Sequence, residues 1–223
     1  MDIKLPIDKD GGRIAGVIAV VAMFMAHIST NMGWLGFLMT VGCLAFFRDP
    51  ERVPPSRNFS AVSPADGIVL KISQCTLPEE LDLPGEWKKV SIFMSIFNVH
   101  VNRAPVAGTI DRILYTSGKF FNVTLDKASE YNERLATFMS MQDGVKVIFV
   151  QIAGLLARRI RCDVTEGQAL ELGQRVGIIR FGSRVDIYLP IDATILVEEG
   201  QVTVGGETVL ADLKKREVRC GNA

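Results

Sequence analysis

Two hydrophobic patterns divide this chain. From Ile14 to Phe47 no Asp, Glu, Lys or Arg occurs, and Val, Ala, Ile, Leu, Met and Phe dominate. Only the polar stretch from His27 to Asn31 interrupts the run near its middle. One helix through all of it would far exceed a bilayer, whereas halves over 14–30 and 31–47 sit at the lower limit of roughly 17–25 residues needed to cross. The pattern predicts two short helices in a hairpin, within a membrane-associating segment 1–50. Lys4, Lys9 and Arg13 precede it, Arg48, Arg52 and Arg57 follow it, and the connector has no basic residue. The positive-inside bias then places both ends, and the rest of the chain, on the cytoplasmic face of the cell membrane. A secretory signal peptide, a pair of buried core helices and a shallow interfacial hairpin are the competing readings.

Beyond Arg48 the period changes. The prolines at 50, 54 and 55 stop the helix and suggest a linker. Short β-branched runs between glycines follow, at 67–72, 89–94, 109–115, 146–152, 184–189 and 194–197, with Val176 to Arg180 also strand-like. One stretch around Asp126 to Leu135 has helical character and would decorate the sheet. Glu166-Gly-Gln and Glu199-Gly-Gln each stand a few residues before another glycine, a turn rhythm that resembles biotinyl/lipoyl-type barrels. No lysine sits in either segment to carry biotin or lipoate. The expected fold is therefore mainly β, a β-sandwich or barrel related to biotinyl/lipoyl-type barrels over 51–223, carrying the N-terminal hydrophobic helical hairpin.

Composition narrows the function classes. Lys plus Arg and Asp plus Glu are equal at 25 each, so no broad field exists to attract nucleic acid. Cys43, Cys75, Cys162 and Cys220 form no CxxC pair and only two histidines are present, which argues against a metal site. The scattered cysteines read as unpaired thiols in a reducing compartment.

Chemistry has three candidate places. Gly182-Ser183 lies between two strand-like runs. Such a pair is ordinarily a turn, but it also suits backbone self-cleavage: glycine allows the sharp bend that brings the next hydroxyl onto its carbonyl. An N-to-O acyl shift followed by elimination would leave a pyruvoyl group on the downstream piece. His100 is the only histidine outside the apolar start, and imidazole moves protons near neutral pH. Asp66, in a Pro-Ala-Asp-Gly turn, is of the type that orients a histidine which activates a serine. A satisfied structural histidine and a plain turn are the bland readings of these two residues.

Taken together, Pro64 to Gly67, Phe97 to Gly108, Asp126 to Arg134 and Phe181-Gly182-Ser183 resemble, in order and spacing, the phosphatidylserine decarboxylase family, and its short membrane-associated prokaryotic branch in particular. The resemblance covers nearly the whole chain. It implies autocatalytic serinolysis at Gly182-Ser183 into a β chain 1–182 and an α chain 183–223, which stay together as a heterodimer. It further implies a covalent pyruvoyl cofactor from Ser183, help from Asp66 and His100 in self-cleavage, and a second role for His100 in decarboxylating phosphatidylserine through a Schiff base. Many members carry Leu-Gly-Ser-Thr at the cut, whereas this chain has Phe181-Gly-Ser-Arg184. Arg184 is expected as a solvated strand residue or a contact for an anionic group; Arg103 and Lys119 read first as surface charges, with contact to the lipid phosphate as the alternative, and neither joins the catalytic set. A decarboxylase of another serine-headgroup lipid and a non-catalytic membrane-tethered β-barrel adaptor are the alternatives.

Overall fold

The computed structural model describes residues 6–118, 132–154, 160–180 and 183–213. Helix α1 spans Lys9–Ile28 and α2 Thr30–Phe46. The Asp8 side chain accepts the Asp10 backbone N–H, so α1 starts earlier than the apolar run alone predicts and includes Lys9, Asp10 and Arg13. Its 20 residues rise about 30 Å, and α1 is long and apolar enough to cross a membrane; α2 is shorter, at 17 residues. The two pack closely because small residues meet: a Cβ on Gly33 or Gly36 would stand 2.7 and 2.4 Å from the Cβ atoms of Ala26 and Ala22. Val17, Val20, Phe24, Trp34, Leu35 and Phe37 are each more than half exposed, so the pair is not a buried core element.

Residues 48–55 are no free tether. Asp49 pairs with Arg103 and Arg175, Arg52 with Asp66, and Glu51 with Arg175, while the Val53 N–H donates to Glu207. These contacts bind the base of the hairpin to the β-rich part.

Fourteen strands follow among the described residues: β1 Ser60–Val62, β2 Gly67–Thr76, β3 Glu86–Met94, β4 Val101–Arg103, β5 Gly108–Thr116, β6 Arg134–Ser140 and β7 Lys146–Ala153, then β8 Ile160–Cys162, β9 Ala169–Leu170, β10 Arg175–Ile179, β11 Ser183–Pro190, β12 Thr194–Ile195, β13 Val202–Thr203 and β14 Val209–Asp212. The mainly β expectation holds, and six predicted runs fall inside β2, β3, β5, β7, β11 and the start at β12. The helical reading of 126–135 does not survive where it can be checked: 126–131 lie outside the described residues, and Arg134 and Leu135 open β6. Pairing with β5 and β7 overrides the local helical preference.

A curled eight-stranded sheet runs in the order β13-β2-β3-β11-β7-β6-β5-β9, accompanied by two three-stranded sheets, β1-β14-β12 and β4-β10-β8. The order is palindromic, and the register shows why. Segments around β1 and β2 repeat 41 residues later as β4 and β5 (60 to 101, 67 to 108), with a bulge at matching places before Lys71 and Arg112. Backbone bonds obey the same exchange: Val62 N–H donates to the Pro105 carbonyl at 2.8 Å, and Arg103 N–H to the Pro64 carbonyl at 2.9 Å. The approximate two-fold axis passes through the pair Ile187 and Phe149, where β11 meets β7.

The Glu-Gly-Gln echo is part of this duplication. Gly167 and Gly200 both take positive φ, 79° and 86°, which a glycine adopts without Cβ strain. Glu166 and Glu199 then accept the backbone N–H groups of Ile113 and Ile72, at 2.7 and 2.8 Å, just past each bulge.

One repeat is threaded into the other. Strands β4–β10 form one unit, and β1–β3 with β11–β14 form its counterpart, so the chain leaves the outer unit after Met94 and returns to it at Ser183. In the inserted unit the corresponding step is a closed turn, in which Met141 N–H donates to the Val145 carbonyl at 2.9 Å. In the outer unit that turn is opened, and Met94 and Ser183 face each other across the gap.

The core between the sheets includes Val69, Ile92, Ile110, Phe149, Val176, Ile187 and Leu210, all at most 1% exposed. Phe149 lies on the two-fold axis itself, so its loss would leave a cavity flanked by both repeats. Phe149→Ala is expected to destabilise the β-rich part by about 3–5 kcal/mol, measured by urea unfolding of the detergent-solubilised chain.

Candidate active site

Ser183 opens β11 and is fully buried, paired in register with Met94 of β3 and Ala153 of β7. Its hydroxyl lies 3.2 Å from the Met94 sulfur. A thioether is a weak acceptor, so the hydroxyl is held out of water without being tied to a strong partner. Met94 is in turn approached by the Asn102 side-chain amide at 3.7 Å, and Gln151 donates to the Asn102 carbonyl oxygen at 2.7 Å. This polar chain reaches the serine from inside the sheet. The preceding residues Phe181 and Gly182 lie outside the described residues.

His100 stands at the entry into the inserted unit and is also fully buried. Its Nδ1 lies 2.9 Å from the Asn98 backbone carbonyl. A carbonyl only accepts, so Nδ1 carries the proton and Nε2 presents a lone pair, buried and with no hydrogen-bond partner among the described residues. Burial, with a smaller push from the Arg48 guanidinium and against the Asn98 bond, brings the imidazole pKa down to about 4. The ring packs on Phe46 of α2, centroids 4.3 Å apart. Its backbone carbonyl accepts the Ile179 N–H at 3.3 Å, which ties it to a residue four positions before Ser183.

Asp66 immediately precedes β2, one strand beyond β3, at the same end of the sheet as Ser183. One carboxylate oxygen accepts the Gly205 N–H at 2.7 Å, and the other pairs with Arg52 at 2.8 Å. The fold thus brings Asp66 and Ser183 to one end of the eight-stranded sheet, while His100 precedes β4 of the sheet β4-β10-β8, whose Asn102 reaches Met94 beside Ser183. Among the described residues no hydrogen bond joins any two of the three, so an Asp–His–Ser relay is not formed here.

Two sequence expectations change. Arg184 is 1% exposed and is neither solvated nor turned toward Ser183; strand alternation sends it to the other sheet face, where it pairs with the buried Asp186 at 2.6 Å. Arg103 is 4% exposed and so not a surface charge; it donates to Asp49, Pro50 and Gly173 and braces the linker. Lys119 lies outside the described residues. Sequence reading missed Met94, Asn102, Gln151 and Arg52. Gln151 left one signal, a lone amide inside the otherwise apolar run of β7.

The hairpin base borders the site. Phe46 and Phe47 pack with Val99, Val101 and Ile178, while Arg161 holds Asp8, Asp10 and Asp163, and Arg180 also reaches Asp10.

Comparison with known proteins bears on this arrangement. The family profile described as Phosphatidylserine decarboxylase matches residues 40–211. A phosphatidylserine decarboxylase proenzyme of Paramagnetospirillum magneticum is 49% identical over 213 residues, covering 95% of this chain and 89% of that protein. One of Ruegeria pomeroyi is 50% identical over 210 residues (94% and 96%), and one of Rickettsia akari 47% over 213 residues (95% and 92%).

The buried imidazole carries a pH signature. Its folded pKa lies below the unfolded value, so the unfolded chain binds the proton first and stability falls as pH drops from about 6.5 toward about 4. Between about pH 7.5 and about pH 5 this group accounts for a loss of about 2 kcal/mol, and urea unfolding of His100→Asn across that range is expected to show a correspondingly shallower decline.

Proposed function

Because this chain belongs to the phosphatidylserine decarboxylase family, we propose that it converts phosphatidylserine to phosphatidylethanolamine after cutting its own backbone between Gly182 and Ser183. The observation that carries the reading is the buried, weakly tethered Ser183 hydroxyl at the opened hairpin, in a fold that also buries a neutral imidazole at the start of the insert.

In the proposed cleavage His100 Nε2 takes the Ser183 hydroxyl proton as the oxygen attacks the Gly182 carbonyl carbon. The C–O bond forms, the Gly182–Ser183 C–N bond breaks, and the nitrogen of residue 183 takes a proton. Loss of the Cα proton then expels the Gly182 carboxylate from Cβ, and hydrolysis of the resulting enamine releases ammonia. The products are residues 1–182 and a pyruvoyl-capped 183–223. The surroundings of Ser183 suit such a group, since the buried site excludes water and Asn102 and Gln151 supply amide polarity beside it. When present, the pyruvoyl group supplies a carbonyl that captures the substrate amine and an electron sink for the pair released with carbon dioxide.

His100 is the proposed proton donor to the carbon that has lost carbon dioxide. Asp66 belongs to the set as a positioning residue: with Arg52 and the Gly205 N–H it fixes the start of β2 and the linker at the mouth of the site. The hairpin is the proposed membrane element, with the catalytic part on the cytoplasmic face. A two-tailed lipid then need not enter water, a transfer that costs about 0.8 kcal/mol per CH₂.

Intact-mass measurement tests the central claim. Wild-type protein is expected as two pieces of 182 and 41 residues (223 − 182 = 41), and Ser183→Ala as one chain of 24.5 kDa with no carbon dioxide release. A continuous wild-type chain that decarboxylates at full rate overturns the proposal. Asp66→Asn is expected to slow self-cleavage about tenfold, read by the time course on gels after cell-free synthesis, and Arg52→Met to match it, because both break one ion pair. Normal cleavage in Arg52→Met with slow cleavage in Asp66→Asn would assign Asp66 a direct role instead.

A further inference from the structure

The turn between β3 and His100 displays large apolar side chains where a soluble surface would hide them. Phe97 is 79% exposed and Ile96 47%. The turn that carries them is rigidly built: the Asn98 carboxamide oxygen accepts both the Ser95 N–H and the Ser95 hydroxyl, at 2.8 and 2.9 Å, and the Asn98 N–H donates back to the Ser95 carbonyl at 3.0 Å. Such bonding holds the two side chains outward and prevents their collapse onto the core.

Position supplies the occupant. The Arg48 guanidinium donates to the Ala45 carbonyl at the end of α2 and to the Phe97 carbonyl, at 2.7 and 2.6 Å. The turn is thereby latched to the last turn of the hairpin, and just beyond it Val99 packs with Phe46 and Phe47. The exposed Ile96 and Phe97 are thereby fixed to the base of a hairpin whose own apolar side chains are exposed. Arg13 is exposed on α1 and Arg48 lies against the turn, basic groups of the kind that anionic headgroups attract.

We propose that Ile96 and Phe97 form a second membrane contact, inserted at the headgroup–acyl boundary of an anionic bilayer and latched by Arg48, which sets the depth and tilt at which lipid headgroups meet the His100 and Ser183 site. The inference rests on the reading that the hairpin enters lipid. The hairpin alone fixes only one line of attachment; a second point three residues from His100 stops rotation about it. An aromatic ring suits this depth, where apolar and polar layers meet.

The test places a tryptophan at the tip. In the full chain carrying Trp34→Phe and Phe97→Trp, the remaining native Trp87 starts β3, seven residues and about 23 Å along the strand from Met94, and serves as an internal reference. In vesicles of phosphatidylcholine and anionic phosphatidylglycerol brominated high on the acyl chains, the emission of the new tryptophan is expected to fall about twofold. Unquenched emission at the wavelength of a water-exposed indole overturns the proposal. Unquenched but blue-shifted emission also overturns it and assigns the turn to a protein contact such as a second copy. The parent chain, with Trp34 in place, reports on the hairpin separately.

A kinetic arm adds the functional consequence. Phe97→Asp is expected to lower turnover on vesicles about tenfold more than turnover of a short-chain, water-soluble serine phospholipid. An equal loss on both substrates overturns the membrane role in favour of one in the site. Absence of decarboxylation by the wild-type chain in either form would sink the proposed function while leaving the quenching result readable.

Discussion

The pairing of β11 with both of its neighbours is the constraint on which the remaining structure depends. Eight residue pairs join it to β3 and six to β7, and its inner side chains Val185, Ile187 and Leu189 are wholly buried. Ser183 is the first residue of this strand, so a break in the backbone before it would sever a connection without loosening the strand. Residues beyond the break are held further by β12, β13 and β14, each paired with strands of the eight-stranded sheet or of the β1 sheet. Self-cleavage at this point is compatible with an unchanged fold because the pieces share one core.

The duplication explains why the site is where it is. A closed unit of this kind has a tight turn between its third and fourth strands, as at 141–145. Threading one unit into the other requires that turn to be opened in the host, and both ends of the insert then emerge side by side. One end carries the turn with Asn98 and His100, the other leads to Ser183. Met94 and Ser183 pair at the ends of two central strands where the insert leaves and returns, and functional residues concentrate at such junctions of strand and connection. The duplicated counterpart of Asp66 is Ala107, 41 residues on, so the polar apparatus belongs to one half alone.

Electrostatics then separate scaffold from chemistry. The many arginines near the hairpin base are engaged with carboxylates: Arg161 with three, Arg175 with two, Arg103 with Asp49 and Arg52 with Asp66. They fasten helices, linker and sheet together in a region partly sheltered from water, where paired charges are screened least. His100 is treated in the opposite way. Among the described residues it has no counter-charge and no partner for Nε2, and burial favours its neutral form.

Periodicity and residue type by themselves determined a good deal. The uncharged run from Ile14 to Phe47 dictated an apolar hairpin, the β-branched runs dictated most long strands, and Gly182-Ser183, His100 and Asp66 stood out because few other residues offer their chemistry. The Glu-Gly-Gln echo was legible as a turn rhythm, since positive φ is a local requirement, but only the strand register shows that it marks a duplication. What only the tertiary structure decided depends on partners distant in sequence. Which carboxylate meets which arginine, the turning of Arg184 away from Ser183, the burial of Arg103 against the linker, the β6 pairing that claims Arg134 and Leu135, and the placing of Phe46 on His100 all arise from contacts across tens of residues or from the side of a strand that burial selects. For the strand residues among these, a one-residue change of register would reverse the side-chain direction, and register is fixed by the packed sheet, not by the local sequence.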